Sequence, residues 1–168
     1  MYTGELLTRG TIWLALGSCV LGAAGDRLGR RSAPWQSAAR LAWTAGCAAY
    51  LGHVICAFNF YHGWSHTAAY RETARRTAEI FGVNWGGGLF VNYVFTAAWV
   101  ADVIWRWKPE SYQRRPRFFE ALWRGLFLMM VFSATVVFET GLARWLGLML
   151  SSAFAFLWWF AGPREVRE

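Results

Sequence analysis

GGLFVNYVFTAAWVADVIW, residues 87–105, is the stretch on which the fold turns. Its only charge is Asp102. A helix of this length rises roughly 28 Å, close to the ~30 Å hydrocarbon core of a bilayer. In hydrocarbon every backbone N–H and C=O must be paired within the protein, so such a run is read as a transmembrane helix. Apolar runs also lie on either side of it, near residues 6–24, 41–61 and 125–162. The last would be about 55 Å long as one helix, too long for a single crossing. Glu139, Thr140 and Gly141 break it near the middle, which predicts a helical hairpin. The expectation is an all-α integral membrane protein with a single domain over 1–168. Spans are predicted at 6–25, 41–61, 87–107, 122–138 and 143–161, a bundle of about five transmembrane helices.

Composition agrees. Hydrophobic residues make up 56% of the chain and charged residues 16%, the latter low against about 25% for soluble proteins. Twelve Trp residues are many for 168 positions. Trp35, Trp43, Trp105, Trp107, Trp123, Trp158 and Trp159 fall near one set of span ends, and Trp64, Trp85 and Trp145 near the other. Indoles favour the headgroup level, where an apolar body and a polar N–H both find partners. Trp13 and Trp99 fall within spans and are expected to pack between helices. Cys19, Cys47 and Cys56 also lie within spans and lack CxxC spacing, so they are read as small buried apolar residues. The first apolar run is read as a retained helix, because no convincing cleavage site follows it.

The formal charge of +7 does not point to nucleic acid, because the basic residues gather in the connections between spans. Five spans place twelve Lys and Arg on one side: Arg27, Arg30, Arg31, Arg40, Arg106, Lys108, Arg114, Arg115, Arg117, Arg124, Arg164 and Arg167. The other side has five, Arg9, Arg71, Arg75, Arg76 and Arg144. The positive-inside rule then predicts a plasma (inner) membrane protein with its N-terminus outside and its C-terminus in the cytoplasm. The Arg114–Arg117 segment is expected to meet anionic lipid headgroups. Small residues at helical spacing, Ala45, Ala49 and Ala57 around His53, Ser18 with Gly22, and Gly147, Ser151 and Ala155, predict close helix packing.

The connection between the second and third spans, 62–86, is predicted to carry an amphipathic helix at 65–81, lying on the outer surface or over the bundle mouth. Tyr70, Ala74, Thr77, Ala78 and Phe81 share one face, with Arg71, Glu72, Arg75 and Glu79 elsewhere. Ser65 or Thr67 caps its start and Gly82 ends it. Arg75 and Arg76 are expected to reach lipid headgroups. Gly86, Gly87 and Gly88 then permit a sharp turn or a close backbone approach.

All three histidines, His53, His62 and His66, lie on or just after the second span. His62 and His66 are four residues apart. On an unbroken helix that spacing puts both rings on one face, able to chelate a metal. Glu139 and Glu72 are the carboxylates placed to complete a set suited to zinc, iron or copper. His53, on another face between small residues, is the candidate cofactor-binding residue. Its 13-residue separation from His66 resembles that of two haem-ligating histidines on one helix of b-type cytochromes. The resemblance is confined to this pair. Facing histidines on another helix are missing, so Met129, Met130 or a partner subunit would have to supply a second ligand. Without haem, His53 is expected to hydrogen-bond across helices, to Thr96 or Ser133. Asp102 is expected to pair with Arg106 at i+4 or with Arg40, and Glu139 with Arg144.

No nucleophile elbow, Ser–Lys pair or P-loop is present in the sequence. The leading expectation is therefore a non-catalytic accessory or assembly subunit of a membrane complex, with protein partners or a homo-oligomer. The second is a metal- or haem-binding redox or hydrolytic membrane protein. The third is a small-solute transporter acting as an oligomer.

Overall fold

The computed structural model describes residues 3–28 and 33–159. Arg30, Arg31, Arg164 and Arg167, used above for orientation, lie outside these residues, as do the side chains of Arg27 and Trp159 and the end of the fifth predicted span. The described chain is all-helical: α1 (Thr3–Leu28), α2 (Ala33–Ala57), α3 (His66–Phe81), α4 (Gly88–Arg106), α5 (Pro109–Gln113), α6 (Arg117–Phe132) and α7 (Gly141–Trp159). Two π-helical turns, Phe58–His62 and Ser133–Val137, extend α2 and α6. Among the described residues five helices are long and apolar enough to cross a membrane: Thr3–Asp26, Pro34–His62, Gly88–Arg106, Arg117–Val137 and Gly141–Trp158. Each matches a predicted span. The second begins some seven residues early, at the first residue after Ala33, and the fourth five residues early, because Pro116 sits at the position just before α6 and fixes its start.

The five run alternately up and down. Contacts at both ends fix this: Gly4 meets Phe60 and Gly25 meets Ala39, while Arg106 reaches Asp26 and Arg124 reaches the Trp158 carbonyl. One end of the bundle thus holds Asp102, and the other holds α3 and His66. The closest pair is α1 with α2. A Cβ on Gly46 would lie 2.9 Å from Cys19 Sγ, and one on Gly25 would lie 2.9 Å from Ala39 Cβ. Small residues therefore let these backbones approach, on α1 along the predicted Ser18 and Gly22 but on α2 not along the predicted stripe. Ala45 is exposed, and the inward face of α2 is Ala39, Trp43, Gly46, Cys47 and Tyr50.

The core is aromatic. Trp43, Trp99 and Phe127 pack with ring centroids 5.2–5.8 Å apart. Tyr50 and Phe95 extend the cluster, Trp123 stacks on Phe95 at 5.8 Å, and Phe154 closes it against Phe127 at 5.4 Å. Trp43 and Trp123, placed by sequence at the headgroup level, are core residues with 1% and 9% exposure. Trp13, expected between helices, is instead 38% exposed. Cys19 and Cys47 are buried as read, Cys56 is half-buried, and all three are free thiols.

The α6–α7 hairpin turns at Gly141, whose φ of +61° suits glycine. A Cβ on Gly147 would lie 2.5 Å from the Thr135 carbonyl oxygen, which is backbone and cannot yield. Gly147→Ala is therefore expected to cost about 1–3 kcal/mol and lower the melting temperature in detergent. Gly10→Ala, which meets open space, serves as its control and should leave melting unchanged or slightly raised. Equal melting of Gly147→Ala and wild type would contradict this packing.

Candidate functional site

At one end of the bundle a carboxylate sits where four segments meet. Asp102, on the last turn but one of α4, is 4% exposed. Its Oδ2 accepts the Trp43 indole N–H at 2.9 Å and the Arg106 Nε–H at 3.2 Å. Its Oδ1 accepts from Arg115, which follows α5. Arg106 turns its other edge to Asp26 near the end of α1, with Nη1 2.9 Å from Oδ2. The guanidinium of Arg106 lies 4.4 Å from the Trp43 ring centroid and 5.2 Å from that of Tyr112. Arg115 lies 5.0 Å from Tyr112. Two carboxylates and two guanidiniums thus neutralise each other behind aromatic faces, a setting in which cation–π attraction is strongest. Both Asp102 oxygens are engaged by donors, so the arrangement suits holding segments together better than moving a proton.

The sequence pointed to Asp102 with Arg106, and the structure places them together. Arg40 is not part of the cluster. It donates to Ser37 at 3.2 Å and lies 5.7 Å over the Trp107 ring. Asp26, Trp43 and Arg115 were missed, since 59–80 residues separate them from their partners in α4 or, for Arg115, an irregular connection does. The signal that was available is that each falls at the same end of a span.

At the opposite end the continuous helix required for a His62–His66 pair does not exist. Gly63 and Trp64 both adopt left-handed backbone, with φ of 52° and 60°. They end α2, and Ser65 restarts the chain as the N-cap of α3, accepting from the Ala68 N–H at 3.2 Å. Trp64 is a non-glycine residue in this region, a strained conformation. Its indole N–H reaches Asn59 Oδ1 at 3.3 Å. His62 packs edge-on to Phe58, and His66 Nδ1 lies 3.0 Å from the Tyr93 hydroxyl of α4. Glu72 is bound to arginines of its own helix. Glu139 sits at the α6–α7 turn, but Arg144, its expected partner, donates instead to the Val136 carbonyl at 2.8 Å. Among the described residues no group of three or more His, Cys, Asp or Glu able to hold a metal is formed. His62, His66, Glu72 and Glu139 are therefore not gathered into one centre.

His53 and His66 belong to different helices, α2 and α3, so the single-helix spacing that resembled a cytochrome is lost. His53 does bond across helices, but to neither residue expected. Its Nδ1 lies 2.9 Å from the Thr8 carbonyl oxygen of α1. The same carbonyl also accepts from the Thr11 hydroxyl at 3.1 Å. Thr96 is used by Tyr50, hydroxyl to hydroxyl at 3.2 Å.

α3 carries its own ion network. Arg75 grips Glu72 with two bonds of 2.6 and 2.9 Å and also bonds Glu79, while Arg76 reaches Glu72 at 3.1 Å. Hydrogen bonding from Arg75, and then Arg76, holds the Glu72 carboxyl at about 2, below its ordinary 4.5. The inward face of α3 is Ala69 and Ala74. Phe81, assigned to that face from sequence, is 61% exposed.

No known protein family, curated protein or solved structure matches this chain.

Two outcomes follow from these clusters. Asp102→Ala leaves the Arg115 guanidinium, 5% exposed, without its carboxylate and Arg106 with Asp26 alone, and a buried charge left without its partner costs about 3–5 kcal/mol. A large fall in detergent melting temperature is expected, with faster tryptic cutting after Arg114. Unchanged melting and cutting would refute the cluster. For Glu72 the folded value lies below the unfolded one, so its contribution is complete above pH 4.5 and is lost as pH falls toward about 2. Amide-exchange protection of α3 should hold from pH 7 to 5 and weaken only below 4.5. Early loss near pH 6 would argue against the network.

Proposed function

We propose that this chain is an integral, five-span protein of the plasma membrane, N-terminus outside and C-terminus in the cytoplasm, acting as a non-catalytic accessory or assembly subunit. The observation that carries the reading is how little of the spanning helices the chain itself covers. Only 17% of the α7 stretch and 33% of the α1 stretch is buried, with the other three between. Side chains such as Leu142 (75% exposed) and Met149 (69%) cannot face water at that density. Lipid or the helices of a partner must cover them.

Charge distribution supports the orientation. Among the described residues, Lys108, Arg114 and Arg117 at the Asp102 end are exposed and have no carboxylate partner. Exposed Phe118, Phe119 and Trp107 flank them. Such a cationic and aromatic rim suits the anionic inner leaflet. At the His66 end Arg9, Arg75 and Arg76 are already paired with Glu5, Glu72 and Glu79.

The accessory role is supported by a groove of about 400 Å³ between α6 and α7, lined by Leu128, Met129, Phe132, Leu148, Ser151, Ser152 and Ala155. Ser151 Oγ is shielded there without a hydrogen-bond partner among the described residues. Small residues beside a shielded hydroxyl suit the close approach of another transmembrane helix. The charged groups that burial would make useful for catalysis are bound to one another around Asp102.

Membranes washed without detergent should retain the whole protein on ultracentrifugation, and a mild detergent should extract it with stoichiometric partners. Ser152→Trp, which fills the groove from an exposed position, should remove those partners without lowering the melting temperature. A clean monomer from native membranes would refute the accessory role. Protein left in the supernatant would refute the membrane reading itself. A cysteine placed at Arg117 should resist impermeant thiol reagents in intact cells, and labelling there would reverse the orientation.

A further inference from the structure

Beside α3 lies an open cavity of about 790 Å³, lined by Tyr70, Arg71, Ala74, Arg75, Ala78, Glu79 and Asn84. Its far wall is the connection from α3 to α4. Gly86 packs so closely there that a Cβ would lie 2.5 Å from the Tyr70 carbonyl oxygen. The charges of the lining are unequal in availability. Arg75 is committed to Glu72 and Glu79, and Glu79 in turn to Arg75. Arg71 has no carboxylate or other hydrogen-bond partner among the described residues, and neither has the Asn84 amide. One free guanidinium and one free amide therefore border the same space. Exposed apolar side chains follow the lining residue Glu79 and flank Asn84 in the chain: Ile80 is 42% exposed, Phe81 61%, Val83 57% and Trp85 55%. These four sit within eight residues of Gly88, where the α4 span begins, so they lie at the depth of the bilayer interface if the chain is a membrane protein.

We propose that this cavity binds the phosphate headgroup of an anionic phospholipid, with Arg71 as the cation that grips the phosphate, Asn84 donating beside it, and the acyl chains passing over Phe81, Val83 and Trp85. The inference rests on the membrane reading above. A planar guanidinium with unused N–H groups matches phosphate oxygens bidentately. A free phosphate would fill the polar part but leave the four apolar side chains uncovered, which is why a lipid is the occupant. The assignment replaces the sequence-based expectation for Arg75 and Arg76, whose guanidiniums are occupied by Glu72 and Glu79.

Full-length protein in nanodiscs of phosphatidylcholine with a minor share of phosphatidylglycerol provides the test, read by native mass spectrometry after transfer to detergent. Wild type should retain one phosphatidylglycerol in preference to phosphatidylcholine. Arg71→Gln should lower that retention about tenfold, the loss expected for one charge-assisted contact. Arg76→Gln, which does not line the cavity, should retain it like wild type. Inorganic phosphate at millimolar concentration should not displace the lipid. Equal retention of both lipids by wild type, equal retention by Arg71→Gln and wild type, or displacement by inorganic phosphate would each overturn the proposal. Circular dichroism of each variant separates a lost site from a lost fold. Failure of the membrane reading is seen separately, as protein that never enters the nanodisc.

Discussion

The buried Asp102 carboxylate is the constraint around which one end of this protein is arranged. A charge at 4% exposure is sustained only if donors surround it. Those donors come from α2, from α4 itself and from the connection after α5. Asp26 brings in α1 through Arg106. The identity of the donors matters. The Trp43 indole bonds the carboxylate with its N–H and faces Arg106 with its ring, so one side chain satisfies an anion and a cation at once. Lys in place of Arg106 would lose the planar fork that serves two carboxylates. Separate segments are thereby fixed in register at a point where apolar packing alone is permissive.

Above this cluster the interior changes character. Trp43 is the link, since it bonds Asp102 through its N–H and packs on Trp99 and Phe127 through its rings. From there to Phe154 the core is a contiguous set of aromatic rings. Rigid rings suit a bundle that buries few residues per helix, because each fills a large volume with two rotatable bonds. The indole N–H groups of Trp99 and Trp123 have no hydrogen-bond partner among the described residues. Specificity is therefore concentrated at the Asp102 end, while the aromatic middle supplies bulk.

Much of the architecture was legible because helix length and charge exclusion are local properties. Residues 87–105 announce a spanning-length helix by themselves, and the polar break at Glu139 and Gly141 announces the hairpin. The Ser65 cap and the Gly82 stop of α3 were legible for the same reason, since a cap needs only its own neighbours. What failed was whatever depended on rotation about a helix axis or on partners far away in sequence. The inward stripe of α2 was misplaced by one position, which exchanges Ala45 for Gly46. In a helix that is apolar on every face, periodicity gives no sign of which face is inward. The histidine pair failed on one local fact. Gly63 is a helix-weakening residue plain in the sequence, but the left-handed Trp64 after it, which completes the break, has no sequence signature.

The two π-helical turns share a logic with that break. Each ends a long apolar helix at the His66 end, Phe58–His62 before α3 and Ser133–Val137 before α7. A wider turn shifts the register of all that follows and leaves carbonyls to be satisfied from elsewhere. After α2 the Phe58 carbonyl is taken by the Gly63 and Trp64 N–H groups. After α6 the Val136 carbonyl is taken by Arg144, the cation nearest the turn. Thr135, in the middle of that second turn, returns its hydroxyl to the Val131 carbonyl at 2.7 Å and presents its own carbonyl to Gly147. The absence of a side chain at Gly147 thus compensates for the widened turn opposite it. The two features form one joint, which explains why a hairpin with so little buried surface still closes in a single register.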